Sequence, residues 1–308
     1  MRPNIPPAAA TRFRDLAPGA PVIRRRFRGA SVSLYDWSCA GHQPSRLEEE
    51  WADAFEVVVA RRGAFQWEIA GEQVPADAGT ATFFHPAEPY RVRHPVAGGD
   101  AGSVFQVGRT GLAALLEEHD PAAADRARPR FPASHIALDG RAYLLHRLAM
   151  RAALDRSATP LEVEERALAF LRAAVAGGFQ RRGQESRARA GRNRLAGEYA
   201  ARVAEVIAAR FREPLTLGEV ARAVGVSPFH LSRLVRAVSG VPIYRMILRR
   251  RLREALELVL DTRQGISRIA LAVGFASHSH LTDAFRREFG VPPCALRRTG
   301  RLTGQRAL

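Results

Sequence analysis

Apolar and polar positions change rhythm three times along this chain. From Val22 to about Val107 they form short runs: "FEVVVARRG" (55–63), "AFQWEIAG" (64–71) and "TATFFHP" (80–86) are apolar or alternating stretches punctuated by Gly and Pro, the pattern of β-strands. Gly63, Gly71 and Gly79 set turns at about eight-residue spacing, which predicts an antiparallel sandwich or small barrel. At 110–119, "TGLAALLEEH", the period becomes helical. A helix over 139–155 places Leu144, Leu145, Leu148 and Ala152 on one face. The next helix starts at a cap, Thr159, followed by Pro160 and by Glu162 three residues on; Leu161, Leu168, Leu171 and Val175 form its stripe, and Gly177-Gly178 is expected to end it. "QRRGQESRARAGRNR" (180–194) carries almost nothing apolar and reads as an exposed linker. From Ala196 onward every segment is helical, beginning with Val203, Val206, Ile207 and Phe211 on one amphipathic face.

The helical third repeats itself. With Leu217 set against Ile266, Val220 meets Ile269, Ala221 meets Ala270, Val224 meets Val273 and Gly225 meets Gly274. After one extra residue in the second copy, Leu231 meets Leu281, Ser232 meets Thr282, Arg236 meets Arg286, and Gly240-Val241-Pro242 meets Gly290-Val291-Pro292. An alanine allows close helix approach and a glycine permits a left-handed turn, so each copy predicts helix, tight turn, helix. Ser227-Pro228 and Ser277 are the expected starts of the second helices. Those helices carry Phe229, His230, Ser232, Arg233 and Arg236 in the first copy, and His278, Ser279, His280, Thr282, Arg286 and Arg287 in the second, away from their apolar positions. Short donors and acceptors backed by arginine suit base edges and phosphates. A helix of about 27 Å, Ile243 to Leu260, separates the copies, close to the roughly 34 Å between successive major grooves. Met246, Leu248, Leu252, Leu256 and Val259 are its packing positions, and Arg249, Arg250, Arg251 and Arg253 crowd its first half.

Charge follows the same division. All 47 cations are arginine; residues 1–179 hold 22 Arg and 21 acids, 180–196 hold 6 and 1, and 197–308 hold 19 and 9, so the net of +16 sits mostly in the back third. A polyanion partner explains that placement; a generally arginine-rich proteome with solvated faces is the alternative. Cys39 and Cys294 form neither a disulfide framework nor a zinc spacing. No apolar run is long enough to span a membrane, the first residues contain no sustained apolar segment, and a cytoplasmic location is expected. No Ser/His/Asp set, Gly-rich phosphate loop or CxxC is present, so no catalytic residue and no cofactor is expected.

Residues 200–300 resemble the DNA-binding domain of AraC/XylS-type bacterial transcription regulators, through "LTLGEVARAVGVSPFHLSRLVRAVSGVPIYRMILRRRLREAL" and "ISRIALAVGFASHSHLTDAFRREFGVPPCALRR". The resemblance implies that Phe229, Ser232 and Arg233 lie where the first recognition helix meets bases, and His278, Ser279, His280 and Thr282 where the second does. Asp283 stands where the family often has a cation: it either pairs with Arg286 or Arg287, accepts from cytosine, or repels phosphate. The strand-rich part resembles the cupin-like effector domains of the same family. Its early strand, "WADAFEV", lacks the metal-binding histidines of functional cupins, and with only His85 and His94 on later segments no metal site is expected.

The implied architecture is α+β and multidomain. A poorly ordered 1–20 precedes a cupin-like sandwich or barrel with trailing helices (21–179, helices about 139–178). A basic linker (180–196) leads to an all-α domain (197–308), whose two helix-turn-helix motifs, about 216–239 and 266–289, are joined by a long helix. The implied function is a sequence-specific regulator acting on double-stranded promoter DNA and RNA polymerase. A small-molecule effector would control it through the front domain. Phe55, Trp67, Phe84 and Tyr90 are candidate pocket walls, with a barrel core as the other use of such aromatics. The leucine stripes of the two middle helices serve either a homodimer or packing on the sandwich. A cupin-type metalloenzyme with a DNA-binding appendage and a non-specific architectural DNA-binding protein are the competing functions.

Overall fold

The computed structural model describes residues 22–39, 49–69, 72–93, 99–124, 128–188 and 194–302. The stretch 1–20, expected to be poorly ordered, lies outside them, as do Gly71 and His94. The chain opens with β1 (Val22–Arg28), β2 (Val32–Cys39), β3 (Glu50–Trp51), β4 (Phe55–Arg62), β5 (Ala64–Ile69), β6 (Glu72–Asp77), β7 (Thr80–Phe84), β8 (Pro89–Arg93) and β9 (Asp100–Val107). There follow α1 (Arg109–Glu117), α2 (Pro121–Ala124), β10 (His135–Ala137), α3 (Gly140–Leu154) and α4 (Pro160–Ala188). The remainder is helical: α5 (Arg194–Arg210), α6 (Leu217–Val224), α7 (Pro228–Ser239), α8 (Ile243–Asp261), α9 (Ile266–Ala272), α10 (His278–Phe289) and α11 (Pro293–Leu302).

The strands make two antiparallel sheets, a six-stranded one ordered β1-β2-β9-β4-β7-β10 and a four-stranded one ordered β3-β8-β5-β6. Gly63 (φ 80°) and Gly79 (φ 109°) make the β4–β5 and β6–β7 turns that their positions predict. The six-stranded sheet is covered on both faces, which is why β4 reads as a continuous apolar run. Alternate side chains go opposite ways: Val58 and Ala60 enter the space between the sheets beside Trp37, Trp67, Ile69, Val74 and Phe84. Val57 and Val59 join Phe105, Tyr143, Met150, Phe170 and Leu171 under the helices.

Leu144, Leu145 and Leu148 of α3 and Leu168, Leu171 and Val175 of α4 join the core beneath this sheet, whereas Leu161, at the start of the expected α4 stripe, is exposed. Two sequence expectations need correction here. Gly177-Gly178 does not end α4, which runs through to Ala188. A Cβ at Gly178 would sit 2.6 Å from Pro132 Cγ, and one at Gly177 3.0 Å from Ile136 Cδ1; the pair lets the helix approach β10 and the chain leading into it. The expected linker is therefore helical over 180–188, because extending a helix already nucleated by packed turns costs far less than starting one. In α3, Ala142, Tyr143, His146, Arg147, Ala149 and Met150 are buried and the three leucines only partly so, because the helix is enclosed on more than one side.

The helical region holds two cores. Val203, Ile207, Phe211, Val220, Ala221, Val224, Leu231, Val235, Ile243 and Ile247 form one around α5, α6, α7 and the start of α8. Leu252, Leu256, Val259, Ile269, Val273, Leu281 and Phe285 belong to the same continuous cluster as the helix-covered face of the sheet. Among the described residues no helix is long and apolar enough to cross a membrane.

Buried histidines give the fold an acid sensitivity. His146 is fully buried among the rings of Phe105, Tyr143 and Phe170, with no hydrogen-bond partner on either ring nitrogen among the described residues. Burial, then the neighbouring Arg147 and Arg61, hold its pKa well below the usual 6.5. At His85, burial and then Arg130 push in the same direction, and its Nε2 accepts from the Phe131 N–H at 3.0 Å. A histidine kept neutral in the fold contributes stability that is complete above the unfolded pKa and lost as pH falls below it. Glu56, raised by burial to about 7, works in the opposite sense, so a variant must isolate the histidine. Denaturant unfolding from about pH 7 to 5 should show His146→Leu losing less stability than the parent, by up to about 1.4 kcal/mol per pH unit. Parallel pH profiles would contradict this.

Candidate nucleic-acid interface

Each helix pair is built by local chemistry that leaves one face of its second helix unused. In the first, Thr216 and Glu219 make a reciprocal capping box at the start of α6, and Gly225 ends that helix in the left-handed region, φ 77°. Ser227 restarts the chain: its Oγ accepts from the His230 N–H at 3.3 Å, with Pro228 in the first turn of α7. In the second, α9 leads to Gly274 (φ 86°), and Ser277 Oγ accepts from the His280 N–H at 3.2 Å. A Cβ at Gly274 would lie 2.7 Å from the Arg212 carbonyl oxygen, so the second turn needs glycine for space as well as for dihedral angle.

The candidate side chains divide by exposure. Phe229 is 81% exposed. Arg233 and Arg236 on α7, and His278, Ser279, His280, Arg286 and Arg287 on α10, are exposed as well. Arg233, Arg236 and Arg286 have no carboxylate partner among the described residues. His230 and Ser232 are half-buried, His230 lying edge-on to Tyr199 of α5 at 6.5 Å. Thr282 is half-buried, with its hydroxyl shielded and unpartnered among the described residues. The His280 ring rests against Phe275 at 5.1 Å. Asp283 is exposed, and Arg287 Nε donates to its carbonyl oxygen at 3.2 Å rather than to its carboxylate, which leaves the carboxylate facing solvent.

The arginines crowding α8 do not join this surface. Arg250 is buried, 4.2 Å from the Phe211 ring centroid and ion-paired with Glu254 at 3.0 Å. Arg251 donates to the carbonyls of Phe211 and Glu213 at 2.7 and 2.6 Å. Arg253 is buried against the front domain, donating to the carbonyls of Ala78 and Leu138. The same boundary holds a second set of contacts, Arg147 with Glu257 and Asp261, and neither set was among the expected site residues. The one available signal is the run Arg250, Arg253, Glu257, Asp261, a polar stripe at helical spacing beside the apolar one.

In the front domain, Trp67, Phe84 and Tyr90 come together, with ring centroids 4.7 to 5.4 Å apart. Phe55 does not join them; it packs against His85 and Phe131 at 6.1 and 6.2 Å, on the far side of the strand. The hollow lined by Gln66, Trp67, Glu68, Arg91 and Arg93 has about 10 Å³, space for a single water. No group of three or more His, Cys, Asp or Glu residues is placed to hold a metal ion, among the described residues.

Residues 220–299 match the family described as "Helix-turn-helix domain". Among curated proteins, the chain is 38% identical over 96 residues to the HTH-type transcriptional regulator GlxA of Rhizobium meliloti, covering 31% of this chain and 30% of that one. It is 35% identical over 85 residues to the HTH-type transcriptional regulator ArgR of Pseudomonas aeruginosa, covering 28% and 26%. The chain thus spans under a third of the length of both relatives. Of solved structures, a Chromobacterium violaceum transcriptional regulator with an AraC-type DNA-binding domain is 29% identical, over 37% of this chain and all of that one, at a TM-score of 0.33.

The caps make a local prediction. Ser277→Ala removes the acceptor for the His280 N–H and should lower stability by about 1 kcal/mol. Ser279→Ala, exposed on the same turn, should stay within about 0.5 kcal/mol of the parent. Urea unfolding of both variants checks this, and equal losses would contradict the capping role.

Proposed function

From the premise that the C-terminal region is an AraC-type helix-turn-helix domain, we propose that the whole chain is a sequence-specific DNA-binding transcription regulator with two reading heads. The observation that carries the reading is the pairing of two independently capped helices, α7 and α10, whose exposed faces hold arginines and short polar groups. They stand at the two ends of one stiff helix. At 19 residues and about 1.5 Å per residue α8 is about 28 Å long, comparable with the roughly 34 Å between successive major grooves on one face of B-DNA. Arg233 suits a guanine edge, Phe229 a thymine methyl, and Arg236, Arg286 and Arg287 the phosphates. Asp283, its carboxylate free to face outward, suits a cytosine amino group better than a phosphate.

The front domain is read as a cupin-like effector module. Trp67, Phe84 and Tyr90 support a ligand wall that would open on binding, since in this state their rings pack on one another between the sheets. A bound small molecule would act by favouring one arrangement of the reading heads over another, with RNA polymerase responding at the promoter. Leu154 and Leu161, both more than half exposed at the α3–α4 turn, are where a second copy would pack.

Selection of bound sequences from a random duplex pool by the full chain, near physiological salt, tests the reading. Two enriched boxes about 10 base pairs apart are expected. Enrichment of none, with binding that falls steeply as salt rises, would instead identify a non-specific binder. On the selected site, Arg233→Ala should weaken binding by about 1–3 kcal/mol; unchanged affinity would remove Arg233 from base reading.

A further inference from the structure

The front domain grips the DNA-binding domain through a guanidinium that is out of water, Arg147, held between a largely shielded carboxylate, Glu257, and a half-exposed one, Asp261. Arg147, on α3, is 2% exposed at its side chain, and its Nε lies 2.6 Å from Glu257 Oε1 on α8. Its Nη2 lies 2.8 Å from Asp261 Oδ2, one turn further along the same helix. Tyr143, one turn before Arg147, donates its hydroxyl to Glu257 Oε1 at 2.9 Å. The traffic also runs the other way. Arg253, on α8, reaches into the front domain and donates to the Ala78 and Leu138 carbonyls at 2.5 and 2.7 Å, while Arg151 donates to the Leu260 carbonyl at 2.9 Å. Two glycines make room. A Cβ at Gly79 would fall 1.9 Å from Arg253 Cζ, and one at Gly140 would fall 2.1 Å from the Glu288 carbonyl oxygen, on α10 itself.

We propose that Arg147 is a positioning residue for DNA reading: by gripping Glu257 and Asp261 it fixes α8 on the front domain and thereby sets where the second reading helix, α10, stands relative to the first. The inference rests on the two-headed reading above. An apolar contact alone tolerates sliding of one helix along another. A guanidinium fork that holds two carboxylates a turn apart does not, because slippage strands a buried charge. Such a cluster adds little net stability over apolar packing, so its use here is geometric.

The effect falls most directly on the second head; the first meets the front domain at its edge, where Gln66 Nε2 donates to Glu205 Oε1 of α5 at 3.0 Å. The α9–α10 pair shares its core with the front domain, whereas the α6–α7 pair closes its own core with α5 and the first turns of α8. The grip does not mask the second head: His278, Ser279, His280, Arg286 and Arg287 are all exposed with α8 seated. It presents α10 in one place.

The test uses the full chain on duplexes carrying both selected boxes or the α7 box alone. The parent should bind the two-box duplex more tightly. Arg147→Met should keep its one-box affinity within about twofold and lose about tenfold or more on two boxes, within the usual 5–150-fold range of coupling between sites. Glu257→Gln, nearly isosteric, is the second variant should Arg147→Met fail to fold. It should show the same selective loss, and the double variant should lose no more than either alone, because the two residues act as one unit. Equal losses on both duplexes would reduce the cluster to general structural support and overturn the proposal. So would a full two-box advantage retained by a folded Glu257→Gln. A parent chain that gains nothing from the second box would overturn the two-headed reading itself, and this inference with it.

Discussion

One helix has to satisfy three neighbours at once. The first turns of α8 close the core of the α6–α7 pair through Ile243 and Ile247. Its second half closes the α9–α10 core through Leu252, Leu256 and Val259, and its polar edge is held by α3. A helix of 19 residues does not bend cheaply, so fixing any one of these contacts constrains the other two. The spacing of α7 and α10 and the seating of the front domain both pass through the same rod, and under the proposed function so would the route from an event in that domain to DNA.

Arginine makes this construction workable. With no lysine in the chain, every cation is a planar fork with five donors, able to pair two acceptors in fixed geometry. The structure divides these forks into two groups. Arg147, Arg250, Arg251 and Arg253 satisfy carboxylates and orphan carbonyls where elements meet. Arg233, Arg236, Arg286 and Arg287 stand on the exposed faces of α7 and α10. Fewer arginines of the last third are therefore free to face outward than the charge count suggests, because Arg250, Arg251 and Arg253 are engaged inside the protein.

What was legible in the sequence is what local chemistry decides. The capped starts at Thr159, Ser227 and Ser277 and the left-handed glycines at 225 and 274 were readable because a cap or a φ angle depends on a few adjacent residues. The repeat itself was readable because both copies obey the same helix-packing spacing. Features set by distant partners were not. Gly177-Gly178 looked like a helix end and is a packing notch for Pro132 and Ile136. The segment 180–188 looked too polar to order and is carried by the helix before it. Arg147 and Glu257 are 110 positions apart, and nothing in either's neighbourhood names the other. Phe55 was grouped with Trp67, Phe84 and Tyr90 by residue type alone, while strand alternation sends it to the opposite face.

Shared packing makes the α9–α10 unit part of the front domain's cooperative body, while the α6–α7 unit closes a core of its own. Native-state hydrogen exchange on the full chain, followed through increasing denaturant, measures this directly, since segments that open together share one opening free energy. Amides in the second half of α8 and in α10 should merge with those of α3 and α4, and α6 and α7 should open separately at lower free energy. Amides of α10 that open together with α6 and α7, at a free energy distinct from that of α3, would contradict it.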